Sequence, residues 1–363
     1  MNAAYFSANY RQARQRFVEA AVAAGMTVQT HAHPLPGAEG EALAMDVARG
    51  GGFDAPALLI VSSGCHGVEG YAGSAVQNAV LADAALLGAA QAAGVALLFI
   101  HALNPHGYSH DRRVTHEGVD LNRNWVDFTR PLPANPGYDA LAPLLLPEHW
   151  PPGPEVQAGL MAYAQAHGPR ALQQAISGGQ YRHPQGLFYG GTAPTWSHLT
   201  LRRVLRQHGR GCRRLGWIDL HTGLGPSGHG ERILAARPDP DTVQRARAWW
   251  GADGGSVTAL HDGSSSSAEL EGMMWQAAYD ECPQAEFTGI ALEYGTLPLE
   301  ATVGALRADH WYAAHPEAPA DGRAQARQAM RDAFYVATPA WQQQVLDQGL
   351  AAVRLGVAGL SGA

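Results

Sequence analysis

Residues 57–70 read ALLIVSSGCHGVEG, an apolar run that ends in glycines, a histidine and a glutamate. The segment 57–63 predicts a buried β-strand, because a short apolar run bounded by glycine is typical of such strands. An Ala-rich segment at 70–94 predicts a helix, and the apolar segment at 95–105 predicts a second strand that runs into a loop. A strand, a helix and another strand in succession indicate parallel strands joined by a helical crossover.

The same alternation continues along the chain. Further strands are expected at 215–221, 231–236, 256–260 and 288–295, and helices at 8–25 and 320–355. The Pro-rich stretch 129–155 interrupts the pattern and is followed by a helical stretch to about residue 178, so the region at about 130–200 is interpreted as an excursion over the active-site edge of the sheet. We therefore predict one α/β domain over residues 1–363, in which a mixed, mostly parallel, twisted sheet lies between two layers of helices.

The composition narrows the class of protein. The chain has 363 residues, of which 46% are hydrophobic, and this is enough for a large core. A net charge of −7 argues against a nucleic-acid-binding surface, and no apolar run approaches the roughly 20 residues of a membrane span. The first residues lack the regions of a signal peptide, so we expect a cytoplasmic protein. The expected partner is a small molecule or a short peptide.

Residue types that are missing or rare exclude further chemistry. All 25 basic residues are arginines, so a Schiff-base lysine and a P-loop lysine are excluded. The cysteines Cys65, Cys212 and Cys282 are too few and too scattered for a disulfide framework or a cysteine-based zinc site. Cys65 is interpreted as a small buried residue. The chain also lacks a G-x-S-x-G motif, which argues against a serine hydrolase.

The chemically capable side chains follow the predicted strands. These residues are His66 and Glu69 after the first strand, Arg112, Arg113, Asn122 and Arg123 after the second, and later His221 and Glu293. In an open α/β sheet, ligands bind in the crevice beyond the carboxyl ends of the strands. Two histidines and one carboxylate can hold a catalytic zinc ion that keeps a fourth position for water. Glu293 is the candidate general base, because partial burial raises a carboxyl pKa into a useful range.

Four motifs in this order carry a resemblance to a known family. HGVE (66–69), DLNRNW (120–125), DLHTG (219–223) and LEYG (292–295) resemble the zinc carboxypeptidases of the carboxypeptidase A superfamily. The resemblance spans roughly residues 55–300 and implies the fold of that family. It also implies that His66, Glu69 and His221 bind Zn²⁺ and that Glu293 is the catalytic glutamate, as in the His₂Glu site of carboxypeptidase A.

The resemblance also assigns roles to the substrate-binding residues. Asn122 and Arg123 match the pair that binds the terminal carboxylate of the substrate. One of Arg112 and Arg113 matches the arginine that polarises the scissile carbonyl, and the spacing to the DLNR segment favours Arg113. The stretches 104–125 and 178–191 resemble an uncharacterised bacterial branch of the superfamily. That branch is also similar to the succinylglutamate desuccinylase and aspartoacylase group, which cleaves N-acyl amino acids.

One part of the family pattern cannot be placed. Digestive carboxypeptidases carry a mobile tyrosine about two dozen residues before the catalytic glutamate, and no tyrosine here matches it by spacing. Tyr279, Tyr181 and Tyr189 are alternatives, and Tyr189 is also a candidate for contacting the substrate. The alternative interpretation of the Gly-rich, aromatic stretch 178–191 is a packed loop without a binding role.

Together these features predict a zinc-dependent hydrolase of an amide bond. The leading prediction is a carboxypeptidase-like enzyme that acts on a small peptide or a modified amino acid with a free carboxylate. An N-acyl amino acid deacylase is the alternative within this class. A non-catalytic binding protein on the same scaffold is the alternative from another class, and it would be expected to lack one of the ligands or the catalytic glutamate. A lone histidine after a strand is most often structural, so the prediction depends on the four motifs together.

Overall fold

A computed structural model describes residues 4–362 of the chain. Within this range eight strands form one mixed sheet: β1 Thr27–Pro36, β2 Ala42–Gly50, β3 Ala57–Ser63, β4 Val95–His101, β5 Arg214–Ser227, β6 Gly230–Leu234, β7 Val257–Thr258 and β8 Glu286–Gly295. Their order across the sheet is β1-β2-β4-β3-β5-β8-β6-β7. The central strands β4, β3, β5 and β8 are parallel, whereas β1, β2 and β6 pair antiparallel with their neighbours toward the centre.

Helices flank the sheet. They are α1 Tyr10–Ala23, α2 Gly70–Ala82, α3 Ala84–Ala92, α4 Pro105–Ser109, α5 Pro136–Leu145, α6 Pro154–His167, α7 Pro169–Ser177, α8 Trp196–Gly209, α9 Pro240–Trp250, α10 Gln276–Glu281, α11 Leu299–Ala314, α12 Ala320–Phe334 and α13 Pro339–Ser361. Every residue of β3 and β4 is buried. Because successive side chains of a strand point to opposite faces, both faces of the sheet centre are covered. Among the described helices, none is both long and apolar enough to cross a membrane.

The predicted α/β fold with a mixed, mostly parallel sheet is confirmed. The first predicted strand agrees with β3 in both bounds. The helix expected at 70–94 is two helices, because Asp83 ends α2 and its side chain caps α3 by accepting a hydrogen bond from the Leu86 N–H at 3.0 Å. The edge hairpin β1–β2 was not predicted. Most residues of β1 are exposed and the strand ends at Pro36, as edge strands tolerate, so it lacks the apolar pattern of a buried strand.

The excursion contains the helices α5, α6 and α7 and adds no strand to the sheet. Each of these helices begins with a proline, a residue that fits the first turn because it lacks an N–H group. The end of α5 is bound to α11, since Arg307 donates to the carbonyl oxygens of Leu144 and Leu145 at 2.7 and 3.0 Å. On the other side, α7 is bound to segment 266–269, where Gln173 donates to the Ser266 carbonyl oxygen at 2.9 Å. The excursion is therefore attached at both ends.

Candidate metal centre

Two glycines shape the turn after β3. Gly64 has φ +64°, a conformation that favours glycine, and it redirects the chain as it leaves the sheet. Gly67 opens a short 3₁₀ turn, Gly67–Glu69, that packs directly on the backbone of α4. A Cβ atom on Gly67 would lie 2.0 Å from the Gly107 carbonyl carbon, so only glycine fits there. These glycines let His66 and Glu69 lie close together at the end of a buried strand.

The same turn is joined to the loop that carries the paired arginines. The Gly67 N–H donates to the Arg113 carbonyl oxygen at 3.1 Å, and the Val68 N–H donates to the Arg112 carbonyl oxygen at 2.9 Å. These backbone hydrogen bonds fix the loop relative to the end of β3. The Arg113 side chain is consequently held beside His66 and Glu69, although it lies more than forty residues further along the chain.

His221 and Glu293 lie opposite each other on the neighbouring parallel strands β5 and β8. Side chains at paired positions of adjacent strands lie on the same face of a sheet, so the ladder brings both toward the same crevice. The Glu293 carboxylate accepts a hydrogen bond from the Leu224 N–H at 3.0 Å. Enclosure by the protein, together with the negative charge of Glu69, raises the pKa of Glu293 to about 7. This is the range that suits a general base at neutral pH.

Three residues bring donor atoms together near the carboxyl ends of β3 and β5. The Nδ1 atom of His66 is 2.8 Å from Glu69 Oε1, and the Nδ1 atom of His221 is 3.0 Å from Glu69 Oε2. The two Nδ1 atoms are 3.3 Å apart, and all three residues are buried. Ligand atoms of all three residues lie within 4.8 Å of one another. Two imidazole nitrogens and one carboxylate in this arrangement match the donor set of a catalytic zinc site.

The far nitrogens of both histidines face carboxylates. Asp219 Oδ2 is 2.6 Å from His221 Nε2, and Asp120 Oδ1 is 3.3 Å from His66 Nε2. A carboxylate that accepts the Nε2–H of a histidine leaves the Nδ1 lone pair for a metal and makes it more basic. Arg113 Nη2 also lies 2.8 Å from His66 Nε2, but a donor cannot pair with a protonated nitrogen, so Asp120 is the partner compatible with metal binding through Nδ1.

A second group of possible ligands, Cys65, Asp219 and His221, overlaps the first. Burial raises the pKa of the Cys65 thiol well above its usual range, which disfavours the thiolate form that binds metals. Asp219 already accepts from the far side of the His221 ring. The set His66, Glu69 and His221 therefore fits a metal ion better, and it is the set that the motifs predict.

The two adjacent arginines of the loop point to different surroundings. The Arg113 side chain lines the large cavity beside the metal centre, and its Nη1 atom is 3.3 Å from Glu69 Oε1. Arg112 is not among the residues that line this cavity. Its Nε atom donates to both carboxylate oxygens of Asp309 at 3.0 Å. The geometry thus gives no support to substrate binding by Arg112 and leaves Arg113 as the candidate.

Asn122 and Arg123 both line the cavity. The Nε and Nη2 atoms of Arg123 donate to the Ser177 carbonyl oxygen at 3.2 and 2.7 Å, and its Nη1 atom donates to the Asn122 carbonyl oxygen at 2.7 Å. Three of the five N–H groups of this guanidinium are therefore used within the protein, and one on each terminal nitrogen is left for a ligand. The Asn122 Oδ1 atom accepts a hydrogen bond from the Met274 N–H at 2.8 Å, and the Asn122 NH₂ group takes no part in this contact.

Tyr189 does not line the cavity, contrary to its expected contact with a substrate. The tyrosine is buried, and its carbonyl oxygen accepts a hydrogen bond from the Asp120 N–H at 2.8 Å. Its neighbour Phe188 reaches the cavity instead, with φ +55° and a ring that lies 5.2 and 5.4 Å from the guanidinium carbons of Arg113 and Arg123. Sequence reasoning missed Phe188, whose only signal was its place in the aromatic stretch 178–191.

The expected mobile tyrosine has no counterpart in this geometry. Among residues 4–362, those that line the cavity include no tyrosine. The Tyr181 hydroxyl donates to the Arg123 carbonyl oxygen at 2.8 Å, and the Tyr279 hydroxyl accepts from the Arg237 N–H at 3.0 Å. Both hydroxyl groups are thus engaged in structural contacts, and Tyr181 supports the backbone of a candidate binding residue.

Asp120 connects the candidate metal ligand His66 to both cavity arginines, and sequence reasoning named it only as part of the DLNRNW motif. Its Oδ2 atom accepts from Arg113 Nε at 2.9 Å, and its Oδ1 atom lies 4.0 Å from Arg123 Nη1. Burial alone would raise the pKa of Asp120, but the charges of these arginines hold it well below its usual range. Asp120 is therefore an ionised, fully buried partner of two buried cations.

Asp120→Asn is expected to lower the free energy of unfolding by about 3 kcal/mol, because it leaves buried arginines without a compensating charge. Urea denaturation of the purified variant measures this change. Asp127→Asn is the matched control, since the Asp127 carboxylate is exposed and should contribute little. Equal unfolding midpoints for the two variants would contradict the assigned role of Asp120.

The cavity has a volume of about 750 Å³ and opens directly onto the metal centre. His66, Glu69, His221, Glu293 and Arg113 lie on its wall. The rest of the wall comes from the sheet, from α6 and α7 of the excursion, from α11 and from the segment between β7 and α10. The site is therefore large enough for a ligand of more than a few atoms, and α6 and α7 of the excursion line it.

The sequence matches the family model DUF2817, described as a protein of unknown function, over residues 6–348. The chain belongs to the DUF2817 family. No curated protein matches the sequence of this DUF2817 protein significantly.

The solved structures that are similar to this DUF2817 protein have low sequence identity to it, and the first of those described here shares its fold. Thrombin-activatable fibrinolysis inhibitor has a TM-score of 0.54 and 11% identity, with 99% of this chain and 76% of that chain covered. The bovine form, solved with tick carboxypeptidase inhibitor, has a TM-score of 0.47 and 14% identity over 90% and 96% of the two chains. A metallo-carboxypeptidase from Pseudomonas aeruginosa has a TM-score of 0.41 and 16% identity over 93% and 68%. The expected carboxypeptidase-like fold is confirmed.

Proposed function

We propose that this DUF2817 protein is a metal-dependent hydrolase of an amide bond whose leaving amine carries a carboxylate. The convergence of His66, Glu69 and His221 beside Glu293, on the wall of one large cavity, carries the proposal. Zn²⁺ is the expected ion, because two imidazoles and one carboxylate are the ligand set of many catalytic zinc sites. When bound there, the ion would lower the pKa of a coordinated water and polarise the substrate carbonyl.

Side chains around the proposed metal centre perform the proton transfer and stabilise the developing negative charge. Glu293, with its pKa near neutrality, accepts the proton of the attacking water and returns it to the leaving amine. Arg113 donates hydrogen bonds to the negative charge that develops on the carbonyl oxygen. The Nη1 atom of Arg113 is 3.3 Å from Glu69 Oε1, so a small rotation of the guanidinium would replace this contact by one with the substrate carbonyl. In the absence of a cavity tyrosine, no second proton donor is assigned.

Arg123 is proposed to bind the carboxylate of the substrate. The Ser177 and Asn122 carbonyl oxygens fix its guanidinium, so the arginine is preorganised and loses little freedom on binding. Its two remaining N–H groups lie on the two terminal nitrogens, which suits the two oxygens of a carboxylate. The NH₂ group of Asn122 is a further donor for the same carboxylate.

A substrate with a free carboxylate is expected to be hydrolysed with a kcat/KM about 100-fold higher than its primary amide, since charged hydrogen bonds contribute about 1.5–3 kcal/mol. A panel of N-acyl amino acids and dipeptides, each with its primary amide, measures this ratio with the zinc-loaded enzyme. Equal rates for the acids and the amides would contradict the role of Arg123.

The same panel separates the alternatives. A carboxypeptidase-like enzyme cleaves the dipeptides, whereas a deacylase cleaves the N-acyl amino acids. A binding protein on the same scaffold cleaves neither, although it still binds zinc and ligand. Three statements stay predictions. The protein is expected to be cytoplasmic and to form a single domain over residues 1–363. Its expected partner is a small molecule or a short peptide, and not nucleic acid or a membrane.

A further inference from the structure

The cavity beside the metal centre is far more apolar than binding a dipeptide requires. We propose that the substrate of the proposed amide hydrolase is an N-acyl amino acid with a hydrocarbon acyl chain, and that the chain lies between α6 and α11. This inference rests on the proposed function, because the amide carbonyl must lie at the metal centre for the chain to enter this part of the cavity. The amino acid is then released with its carboxylate on Arg123.

Two helices present aliphatic side chains to the cavity; of these side chains, Leu306 is buried in the hydrophobic core and Leu160 packs against it. From α6 these are Leu160 and Met161, and from α11 they are Leu299, Val303 and Leu306. Met161 is 53% exposed and Leu299 is 49% exposed, although both are large and apolar. A covered hydrocarbon gains about 25 cal/mol per Å² of apolar surface removed from water. Side chains of this kind around an open space favour an apolar ligand.

Three polar side chains on the cavity wall, those of Thr222, Ser177 and Arg307, are engaged within the protein. The Thr222 hydroxyl donates to the Phe334 carbonyl oxygen at 2.7 Å, and the Ser177 hydroxyl donates to the Gln173 carbonyl oxygen at 2.8 Å. Arg307 is used on the end of α5. A peptide in this space would bring further backbone N–H and C=O groups that lose water and find few partners, which is costly. A hydrocarbon chain brings no such groups.

The direction of the chain follows from the positions of the functional groups. The leaving amine is bound toward Arg123, which is fixed on Ser177 at the end of α7. Close to Glu293, Gly223 packs against the ring of Phe334, since a Cβ atom on this glycine would lie 3.0 Å from Phe334 Cε1 and 3.6 Å from Glu293 Oε1. Phe334 ends α12, which packs along α11. The acyl part, which points away from the amine, thus leads toward the aliphatic side chains of α11.

The proposed reaction is a simple hydrolysis. Water adds its hydroxyl to the acyl carbon, the C–N bond breaks, and the nitrogen receives a proton. The products are a carboxylic acid with the hydrocarbon chain and a free amino acid, so no oxidant or co-reactant is needed.

The test measures binding by titration calorimetry to the zinc-loaded Glu293→Gln variant, with N-acetylglycine and N-octanoylglycine as probes. N-octanoylglycine is expected to bind at least about 50-fold more tightly, a conservative figure for six methylene groups that each contribute up to about 0.8 kcal/mol when buried. N-acetyl-2-aminooctanoate carries the same hydrocarbon on the amino acid side and should gain less. Equal affinities for the two glycine probes, or a larger gain with the aminooctanoate, would overturn the proposal.

Matched variants locate the chain. Val303→Asn places a polar group of similar size on the α11 wall and should reduce the octanoyl advantage at least threefold, and Met161→Gln does the same from α6. Val22→Asn is the control, because Val22 is 61% exposed on α1 and does not line the cavity. An octanoyl advantage that survives both cavity variants rejects this location.

Zinc content is measured separately, and titrations repeated in EDTA report the contribution of the hydrocarbon without metal. Failure of the metal proposal is therefore distinguishable from failure of the hydrocarbon-chain proposal.

Discussion

Glu293→Gln is expected to lower kcat by about 10³-fold, because a positioned general base contributes roughly 10²–10⁴-fold to such reactions. Glutamine keeps the size of the side chain and a carbonyl oxygen that can accept from the Leu224 N–H. It cannot accept the proton of an attacking water. Steady-state kinetics on the best substrate of the panel, with zinc added, measures the change, and KM should move little.

The control for this variant lies on the same strand. Glu286→Gln changes a carboxylate at the start of β8, which is exposed and outside the cavity. Its kcat should stay within about twofold of the unmodified enzyme, as expected for a surface substitution. A Glu293→Gln variant that binds zinc and keeps more than a tenth of the activity would show that another group is the base.

His66→Ala and His221→Ala are each expected to abolish tight zinc binding. A catalytic zinc site has three protein ligands, and removal of one of them strongly weakens zinc binding. The metal content should therefore fall from about one ion per chain to below about 0.1 ion per chain. The two histidines lie far apart in the sequence, and loss of the same ion in both variants would place them in one site. Elemental analysis of the dialysed proteins measures the content.

His229→Ala provides the comparison. This histidine lies on the exposed turn between β5 and β6, close in sequence to His221 but away from the converging donors. Its metal content should equal that of the unmodified protein. If the protein holds no tightly bound metal after zinc addition, or if all three variants behave alike, the metal centre is refuted.

Sequence reasoning brought these candidate residues together because each lies near the carboxyl end of an apolar strand segment. In a parallel sheet the carboxyl ends of such strands lie on one edge, so motif order and strand polarity suffice to predict that His66, Glu69, His221 and Glu293 are neighbours. The edge hairpin was missed for the opposite reason. Its edge strand β1 is mostly exposed, so the residues of β1 carry little apolar periodicity. Its inner strand β2 is almost entirely buried, but Asp46 and Arg49 interrupt its apolar run.

The finer assignments depended on side-chain direction, which spacing does not encode outside regular elements. Arg112 and Arg113 are adjacent, yet Asp309 from α11 binds one while Asp120 binds the other. In the same way, Phe188 and not Tyr189 reaches the cavity because of a backbone conformation with positive φ. The partners that decide these directions come from distant parts of the chain. No local pattern could reveal them.

The position of the reactive groups and the shape of the ligand space depend on different parts of this protein. His221 and Glu293 are fixed by the hydrogen bonds of the central sheet, and the turn with His66 and Glu69 is fixed by its backbone bonds to the loop of Arg112 and Arg113. The excursion contributes no strand to this sheet. Substitutions, insertions or deletions in α6 can therefore change the shape of the ligand space while the reactive groups keep their positions, whereas changes in α7 can also move Arg123, which Ser177 holds. Relatives with the same four motifs but different excursions are expected to share a chemistry and to differ in what they act on, so this segment is where new substrate ranges would evolve or be engineered.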